Sequence, residues 1–392
     1  MTRSRTISVL ALWCGIVSAA WGQADRGQVR RNFSGPCAST DPVYGRIANA
    51  TGGQQYRLRP GEIEKSGAVM ESKWTHPVDV FFSAGGLGRR GERTFEIPVD
   101  STIESVSFSA TVQCKEMISI WRPGGTLVTP GGAAGFLDTE MTAARILTVN
   151  RPETGMWRVR VLGGGEYSVS VRAKTELDLG GFQFVRVGGR PGHEGLFKIE
   201  GEPTSAQQIG QARVHGPYQT ATFKLVAENG ETIQPVRLSS EGDPEEFTGT
   251  LTLPARPFRV AVEGVDERGL AYQRIHVRLF QLQSIELTSL TRVEHFPAGS
   301  ITRMVFQIHN LGTAGNFQAR VVWVGRNFVK TPPATPLTLA EGAAANIEAD
   351  IDIPDNAVPS TEVTVTVSVE RTTPPAAQNG IVVSGSVTPA AR

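Results

Sequence analysis

The sequence has few of the residues on which metal, redox and nucleophilic chemistry depend. Its 392 residues include three cysteines and six histidines. Neither the C-x-x-C spacing of a zinc or redox site nor the paired histidines of a zinc-binding helix occur, and a G-x-S-x-G nucleophile elbow is missing. We therefore predict no catalytic residues, no metal and no cofactor, and we interpret the protein as not an enzyme. Single acids at strand ends, as in PVDSTIE and VDERG, are typical of turns as well as of calcium ligands, so a calcium site stays undecided.

An excess of charge of either sign is absent as well. Lysine and arginine number 39 and aspartate and glutamate 38, which gives a formal net charge of +1. A protein that binds nucleic acid through its phosphates needs a concentrated basic surface, so we expect no nucleic-acid partner. After residue 24 no apolar run reaches the roughly 18 residues of a membrane-spanning helix, and we expect no membrane span.

The first 24 residues differ from the rest of the chain. Arg3 and Arg5 precede an uncharged apolar stretch, and small residues follow it. This layout is typical of a secretory signal peptide, here residues 1–24, and the apolar stretch is too short to span a membrane. We expect export without a lipid anchor and a secreted, periplasmic or extracellular location.

Export would leave two cysteines, Cys37 and Cys114. In an oxidising compartment an isolated pair is commonly bonded to itself, and this bond would close a long loop. The alternative is two unrelated buried thiols. The sequence leaves both interpretations open, because it does not show whether the two Cβ atoms face each other.

The convincingly helical part of the sequence lies within residues 36–80, in the predicted N-terminal segment of residues 25–80. In DPVYGRIANATGG, Asp41 is a typical N-cap and Gly52 marks the helix end. Val43 and Ile47 fall on one apolar face, and PGEIEKSGAVMESKW predicts a second helix. This segment is too small to bury a core alone. We expect it to dock on the next domain through Val43, Ile47 and the apolar residues of the second helix.

From residue 94 onward the hydrophobic pattern has a period of two. Stretches such as TFEIPVD, ESVSFSATVQ and MWRVRVLG alternate apolar and polar residues between turn signals. They fall into three blocks of about 100 residues, the size of an immunoglobulin-like domain. We predict a mainly β protein with three tandem antiparallel β-sandwich domains after a short helical N-terminal segment. The predicted domain limits are 81–176, 177–282 and 283–392.

One stretch imitates a nucleotide-binding motif. Residues 86–91 read GLGRRG, a literal G-x-G-x-x-G. A dinucleotide site needs a helix after the last glycine, because the helix amides hold the pyrophosphate. Here ERTFEIP follows, which alternates like a strand and ends in proline. We interpret the motif as a hairpin-like linker between an apolar run and a sandwich strand.

Several stretches together resemble hemicentin-like extracellular proteins. They are GPCASTDPVYGRIANATGGQQYRL, ERTFEIPVDSTIESVSFSATV, RPETGMWRVRVLGGGEYSVSVRAKTELDLGGFQF and TGTLTLPARPFRVAVEGVDERGLAYQR. The resemblance covers residues 36–280 and implies the end of a von Willebrand factor A-type domain in 25–80, a galactose-binding-like sandwich in 81–176 and an immunoglobulin-like domain in 177–282. Residues 283–392 suggest another immunoglobulin-like domain. The D-x-S-x-S metal loop of a complete A-type domain is missing, so no metal-binding or site residue carries over.

These observations predict a secreted, non-enzymatic, multidomain protein that mediates adhesion or surface interaction through sandwich loops and faces. Its partner would be a protein or a cell surface, with a glycan as a further candidate. One alternative is a carbohydrate-binding module that uses the loops of residues 81–176, because a fold name alone does not establish a ligand. Another is an exported hydrolase with an unrecognised site, which the missing nucleophile and metal patterns disfavour.

Overall fold

The computed structural model of the chain describes residues 7–9, 37, 41–129, 135–240, 242–324, 329–330 and 335–389. The predicted fold class is confirmed: antiparallel sheets form β-sandwiches after a short helical segment. Apart from Ile7–Val9, which pairs with Tyr56–Leu58, the predicted signal peptide lies outside the described residues. Within the described ranges, no helix is both long and apolar enough to cross a membrane.

The N-terminal segment consists of short elements. They are β1 (Ile7–Val9), α1 (Pro42–Ala50), β2 (Tyr56–Leu58), a 3-10 helix (Pro60–Lys65) and α2 (Ser66–Trp74). The predicted start of α1 is confirmed, because the Asp41 carboxylate accepts a hydrogen bond from the backbone nitrogen of Val43 at 2.9 Å. Gly52 follows the helix with a φ of +68°, a left-handed conformation that glycine adopts without strain.

The segment docks on the neighbouring sheet, by one of the two predicted routes. The apolar cluster that holds it joins β2 and α2 to the sheet and contains Tyr56, Leu58, Val69, Met141, Ala144 and Ile146. Val43 and Ile47 are only half-buried and lie outside that cluster. Docking through the second helix is confirmed, since Val69 lies on α2. Docking through Val43 and Ile47 was wrong, because the end of α1 lies against the second sandwich: a Cβ on Gly52 would come within 2.3 Å of Val277.

The first sandwich is one strongly bent antiparallel sheet. Its strands are β3 (Val78–Val99), β4 (Ile103–Trp121), β5 (Phe136–Glu140), β6 (Ala144–Asn150) and β7 (Gly155–Thr175), in the order β3-β7-β4-β6-β5. Phe81 and Phe95 lie on the same strand, yet their ring centroids are 5.4 Å apart. A straight strand would separate them by roughly 45 Å. The sheet therefore folds over on itself, and its two halves enclose one core.

The bend lies where Gly91 of β3 meets Gly163 of β7, and we call this place the glycine corner. The pairing of β3 with β7 shifts register between Leu87 and Gly91, and Gly91 pairs with Gly163. A Cβ on Gly163 would come within 2.2 Å of the carbonyl oxygen of Cys114, so this close approach of β7 to β4 requires glycine. The interpretation of GLGRRG as a hairpin-like linker was wrong. The motif lies inside a continuous strand and supplies the irregularity by which the sheet turns.

The second sandwich has two antiparallel sheets. Its strands are β8 (Asp178–Arg190), β9 (His193–Lys198), β10 (Gln207–His215), β11 (Tyr218–Val226), β12 (Thr232–Val236), β13 (Ser239–Ser240), β14 (Glu246–Thr252), β15 (Phe258–Asp266) and β16 (Ala271–Phe280). One sheet has the order β13-β14-β10-β8-β9 and the other β12-β11-β15-β16. Between them, Phe182, Phe184 and Phe280 form an aromatic core with edge-to-face contacts.

The third sandwich also has two sheets. Its strands are β17 (Ile285–Ser289), β18 (His295–Pro297), β19 (Ser300–Asn310), β20 (Gly315–Val324), β21 (Val329–Lys330), β22 (Thr335–Leu339), β23 (Ala344–Ile353), β24 (Glu362–Arg371) and β25 (Gln378–Thr388). One sheet has the order β17-β19-β23-β21 and the other β18-β25-β24-β20-β22. The short pairing of β18 with β25 is parallel, unlike the rest. The residue limits of the domains stay predictions, because strand bounds do not show which parts fold independently.

Candidate functional site

The first junction, between the first and second sandwiches, contains a fully buried ion pair. Nη1 of Arg274 lies 2.8 Å from Oδ2 of Asp100, and both side chains are inaccessible to solvent. Arg274 also donates to the carbonyl oxygen of Leu177, and Asp100 accepts from the hydroxyl of Thr102. Burying two charges costs several kcal/mol per ion unless the pair is well hydrogen-bonded. Because Arg274 and Asp100 are both hydrogen-bonded, their ion pair fixes one sandwich against the other.

Further contacts surround the ion pair. The Asp266 carboxylate of the second sandwich accepts from the backbone nitrogen of Ser101 at 2.9 Å and from its hydroxyl at 2.6 Å. The guanidinium of Arg259 lies 4.4 Å from the ring centroid of Phe82, and burial lowers the pKa of Arg259 to about 10. An apolar cluster spans the same boundary and contains Phe82, Ala84, Val226, Ala261 and Ile275. The first junction is thus a small core of its own.

The second junction, between the second and third sandwiches, depends on one buried amide. Nδ2 of Asn379 donates to the carbonyl oxygen of Ile285 at 2.7 Å, and its Oδ1 accepts from the backbone nitrogen of Glu202 at 2.9 Å. The backbone nitrogen of Gln283 adds a bond to the carbonyl oxygen of Pro203. The Glu200 carboxylate also accepts from the backbone nitrogen of Ser289 at 2.9 Å. These bonds are few, and among the described residues no buried ion pair crosses this junction.

A polar cleft lies between the N-terminal segment and the glycine corner. Its volume is about 380 Å³. The polar side chains of its walls are Arg46, Gln55, Arg57, Gln113, Glu166 and Tyr167. Such a mixture of cations, amides, a carboxylate and a phenol can donate to and accept from a hydroxyl-rich ligand.

The floor of the polar cleft is held rigidly by its own hydrogen bonds. The hydroxyls of Thr111 and Ser168 are 2.8 Å apart, and Nε2 of Gln54 donates to the Ser168 hydroxyl at 3.3 Å. The phenol of Tyr167 is buried and accepts from Nη1 of Arg93 at 3.0 Å. The sequence gives no sign of this cleft, since its walls come from segments far apart in the chain.

The structure joins Cys37 to Cys114 in a disulfide, with Cα atoms 4.8 Å apart. The bond ties the N-terminal segment to β4 at the glycine corner. Of the two interpretations that the sequence left open, the structure therefore has the bonded one. Among the described residues, no three His, Cys, Asp or Glu side chains are grouped so that they could hold a metal ion.

A half-buried acid lies where α2 passes into the first sandwich. Burial raises the pKa of Asp79 to about 6, although the nearby Arg172 opposes the shift. Nε of Arg172 lies 3.4 Å from Oδ1 of this carboxyl and also donates to the carbonyl oxygen of His76. The carboxyl of Asp79 thus has a pKa between its ordinary range and neutrality.

Comparison with known proteins assigns the first and third sandwiches. A family model described as hemicentin galactose-binding domain-like matches residues 87–176. The resemblance to hemicentin is confirmed. A second family model, described as the VWA7 Ig-like domain, matches residues 286–387 and so covers nearly all of the third sandwich. For residues 25–80 and 177–282, the A-type and immunoglobulin-like assignments stay predictions.

Relatives that align with about six tenths of this chain agree with these matches. Hemicentin-1 of Mus musculus is 22% identical over 268 residues, which cover 64% of this chain and 5% of the relative. Hemicentin-1 of Homo sapiens is 23% identical over 244 residues, 59% of this chain and 4% of the relative. The chain thus spans about a twentieth of the length of these relatives. Among solved structures, the propeptide form of the Bacillus licheniformis lipase BlEst2 aligns with 53% of this chain and 41% of its own at 11% identity, but its TM-score of 0.26 is too low to support an argument.

Sequence reasoning missed the buried ion pair of the first junction. In AYQRIHVRLF the period of two places Arg274 on the strand face of His276 and Arg278, opposite the apolar Ile275 and Val277, so the pattern indicates an exposed arginine. Arg274 is buried all the same, because it pairs with Asp100 of another domain.

Proposed function

We propose that this is an exported, non-enzymatic protein that mediates adhesion or surface interaction through the loops and faces of its sandwiches. The hemicentin-like and VWA7-like matches support an interaction role, because each belongs to a β-sandwich domain. The partner that we propose is a protein or a cell surface.

The observation that carries this proposal is the first junction. Domains within one chain usually move against each other unless their interface is large and apolar. Here a buried ion pair and an apolar cluster lock two sandwiches together. A locked pair presents its loops at fixed spacing, so a partner can contact both sandwiches without an entropic cost of ordering them.

The test is retention of cells and of purified extracellular matrix proteins on surfaces coated with the full chain. We expect saturable retention that is lost when the coated chain is unfolded by heat. If none of the tested cells and matrix proteins were retained, the adhesion role would be contradicted. Turnover in a broad hydrolase screen, lost on a single substitution, would contradict the non-enzymatic part and favour the hydrolase alternative.

A second candidate function, carbohydrate binding that involves residues 81–176, has one specific observation in its favour. The polar cleft has about the volume of a small-molecule site, and part of its wall belongs to the hemicentin-like sandwich. The sequence suggested the loops of residues 81–176 in general as the binding surface. The polar cleft is a more definite candidate, and the N-terminal segment forms part of its wall.

A further inference from the structure

We propose that the polar cleft binds a sugar residue and prefers one that carries a carboxylate. The inference rests on the proposed interaction function, for which it names one ligand class. It assigns the binding to a place that neither the hemicentin-like sandwich nor the N-terminal segment has alone, since each supplies only one wall.

The two walls differ in origin. Arg46 on α1 and Arg57 on β2 come from the N-terminal segment, whereas Gln113 and Glu166 come from β4 and β7 at the glycine corner. The volume of about 380 Å³ lies at the small end of the range for ligand sites, about 300–1,000 Å³. One or two sugar residues match that size.

Glycines keep the cleft open. Gly45, Gly53, Gly85 and Gly86 all line it. A Cβ on Gly45 would come within 3.2 Å of Oε2 of Glu166, so this carboxylate lies directly against the opposite wall. At Gly86 nothing lies within 4 Å of the Cβ position. A side chain there would occupy the space that we assign to the ligand.

The polar groups complement sugar hydroxyls. The Glu166 carboxylate is exposed and can only accept, whereas a sugar hydroxyl can donate to it. Oε1 of Gln113 already accepts from the Glu166 backbone nitrogen at 3.2 Å. Its Nε2 makes no hydrogen bond within the described residues and is left as a donor. Adjacent sugar hydroxyls, which both donate and accept, suit such a pair.

Charge gives the preference for an acid. Burial lowers the pKa of Arg57, and the nearby Glu166 opposes that shift, so these two charges offset each other. Arg46 makes no ion pair or side-chain hydrogen bond within the described part of the chain, and it is exposed at the rim. Its guanidinium can bind a carboxylate with two parallel hydrogen bonds.

The rigid floor supports the same conclusion. The hydroxyls of Thr111 and Ser168 and the phenol of Tyr167 are already paired, so the ligand does not have to order them. A site that is arranged before binding loses less free energy on association. The disulfide between Cys37 and Cys114 ties the N-terminal segment to β4 and so keeps the two walls together.

The experiment uses the full chain and two probes, methyl β-glucuronide and methyl β-glucoside, which differ in a carboxylate against a hydroxymethyl group. Binding is measured by saturation-transfer NMR titration, which detects weak affinities. We expect the glucuronide to bind at least about tenfold more tightly, the effect of one good charge-assisted bond.

Three variants locate the binding. Gly86→Leu fills the cleft and should abolish binding of both sugars. The matched control is Gly88→Leu, since Gly88 lies on the same strand with nothing within 4 Å of its Cβ position but does not line the cleft. This control should bind like the unaltered chain. Arg46→Gln should reduce glucuronide affinity to that of the glucoside and leave the glucoside unchanged.

Clear results would overturn the inference. Absence of saturable binding of both sugars, or equal binding by the Gly86→Leu variant, would exclude the cleft as the site. Equal affinity for the two sugars would exclude the carboxylate preference. Cell retention by a chain that binds neither sugar would overturn the cleft while leaving the adhesion role intact, so the two failures are distinguishable.

Discussion

Each of the two junctions of this chain holds neighbouring sandwiches together, but the interactions that do so differ. The first buries an arginine and an aspartate with no solvent contact and adds an apolar cluster. The second uses the amide of Asn379, the carboxylate of Glu200 and backbone bonds, and no buried apolar cluster spans it among the described residues. Sandwiches joined by a small core should unfold together, whereas sandwiches joined by a few hydrogen bonds should unfold separately.

The buried charge makes the first junction strong but intolerant of change. Loss of one partner leaves the other charge without water or a counter-charge, which costs more than the pair contributes. Loss of a neutral amide costs only the desolvation of the groups that it satisfied. The largest effect of a substitution is therefore expected at the first junction and the smallest at the second.

The largest effect is expected for Arg274→Met. This change leaves Asp100 buried and unpaired, so the first two sandwiches should lose about 3–5 kcal/mol of stability. Calorimetry of the full chain should show a lower melting temperature for their transition, with that of the third sandwich unchanged. A double variant that also carries Asp100→Leu should recover much of the loss.

The control for this prediction is Arg303→Met on the third sandwich. The Arg303 side chain is 63% exposed and pairs with Asp350 at 2.9 Å. An exposed pair contributes about 1 kcal/mol or less. Equal effects of the two arginine substitutions would show that the first junction is not held by its buried charge.

Removal of the disulfide should have the second-largest effect. Replacing Cys37 and Cys114 by serine frees a long loop of the unfolded chain and should cost about 2–4 kcal/mol. The bond joins the N-terminal segment to the first sandwich and does not involve the third, so the melting temperature of the third sandwich should be unchanged. The measurement is calorimetry with and without reductant, and reductant should have no effect on the serine variant. An unchanged melting temperature of the wild-type protein in the presence of reductant would contradict the prediction.

The stability of the first sandwich should depend on pH through Asp79, whereas that of the third sandwich should not depend on this residue. Burial raises the pKa of Asp79 from 3.8 to about 6, so the folded chain binds this proton more tightly than the unfolded chain does. The stabilising contribution is complete below pH 3.8 and is lost as the pH rises through about 6. It amounts to at most about 3 kcal/mol.

The variant Asp79→Asn should remove this dependence. At pH 7.5 it should be more stable than the wild type by up to about 3 kcal/mol, because no buried charge has to be maintained. Below pH 4 the two proteins should be equally stable. Chemical unfolding at several pH values measures the difference, and the transition of the third sandwich serves as the internal reference. A difference that grows toward low pH would have the wrong sign.

The smallest effect is expected at the second junction. Asn379→Ala leaves the Ile285 carbonyl and the Glu202 amide without partners and should cost about 1–3 kcal/mol. Limited proteolysis should then cut faster within residues 281–284, while the melting of the first two sandwiches stays unchanged. Asn346→Ala on an exposed strand position is the matched control and should leave cleavage unaffected. Faster unfolding of the first sandwich would instead show that the junctions are coupled.

Local patterns in the sequence were enough for the elements themselves. The period of two predicted the strands after residue 94, and Asp41 with Gly52 predicted the bounds of α1, because these signals depend on neighbours within a few residues. They failed at GLGRRG, where glycine permits either a turn between strands or a bend within one strand. The choice depends on β7 and β4, which approach the bend from elsewhere in the chain.

By itself, then, the sequence determined the fold class, the strand-rich blocks and the family resemblance, since hydrophobic alternation and turn residues are local properties. The tertiary structure alone decided the partner of Arg274, the route by which the N-terminal segment docks and the existence of the polar cleft. Each of these joins residues from segments distant in the chain. No periodicity or spacing encodes such pairings, because they arise only when separate elements pack against one another.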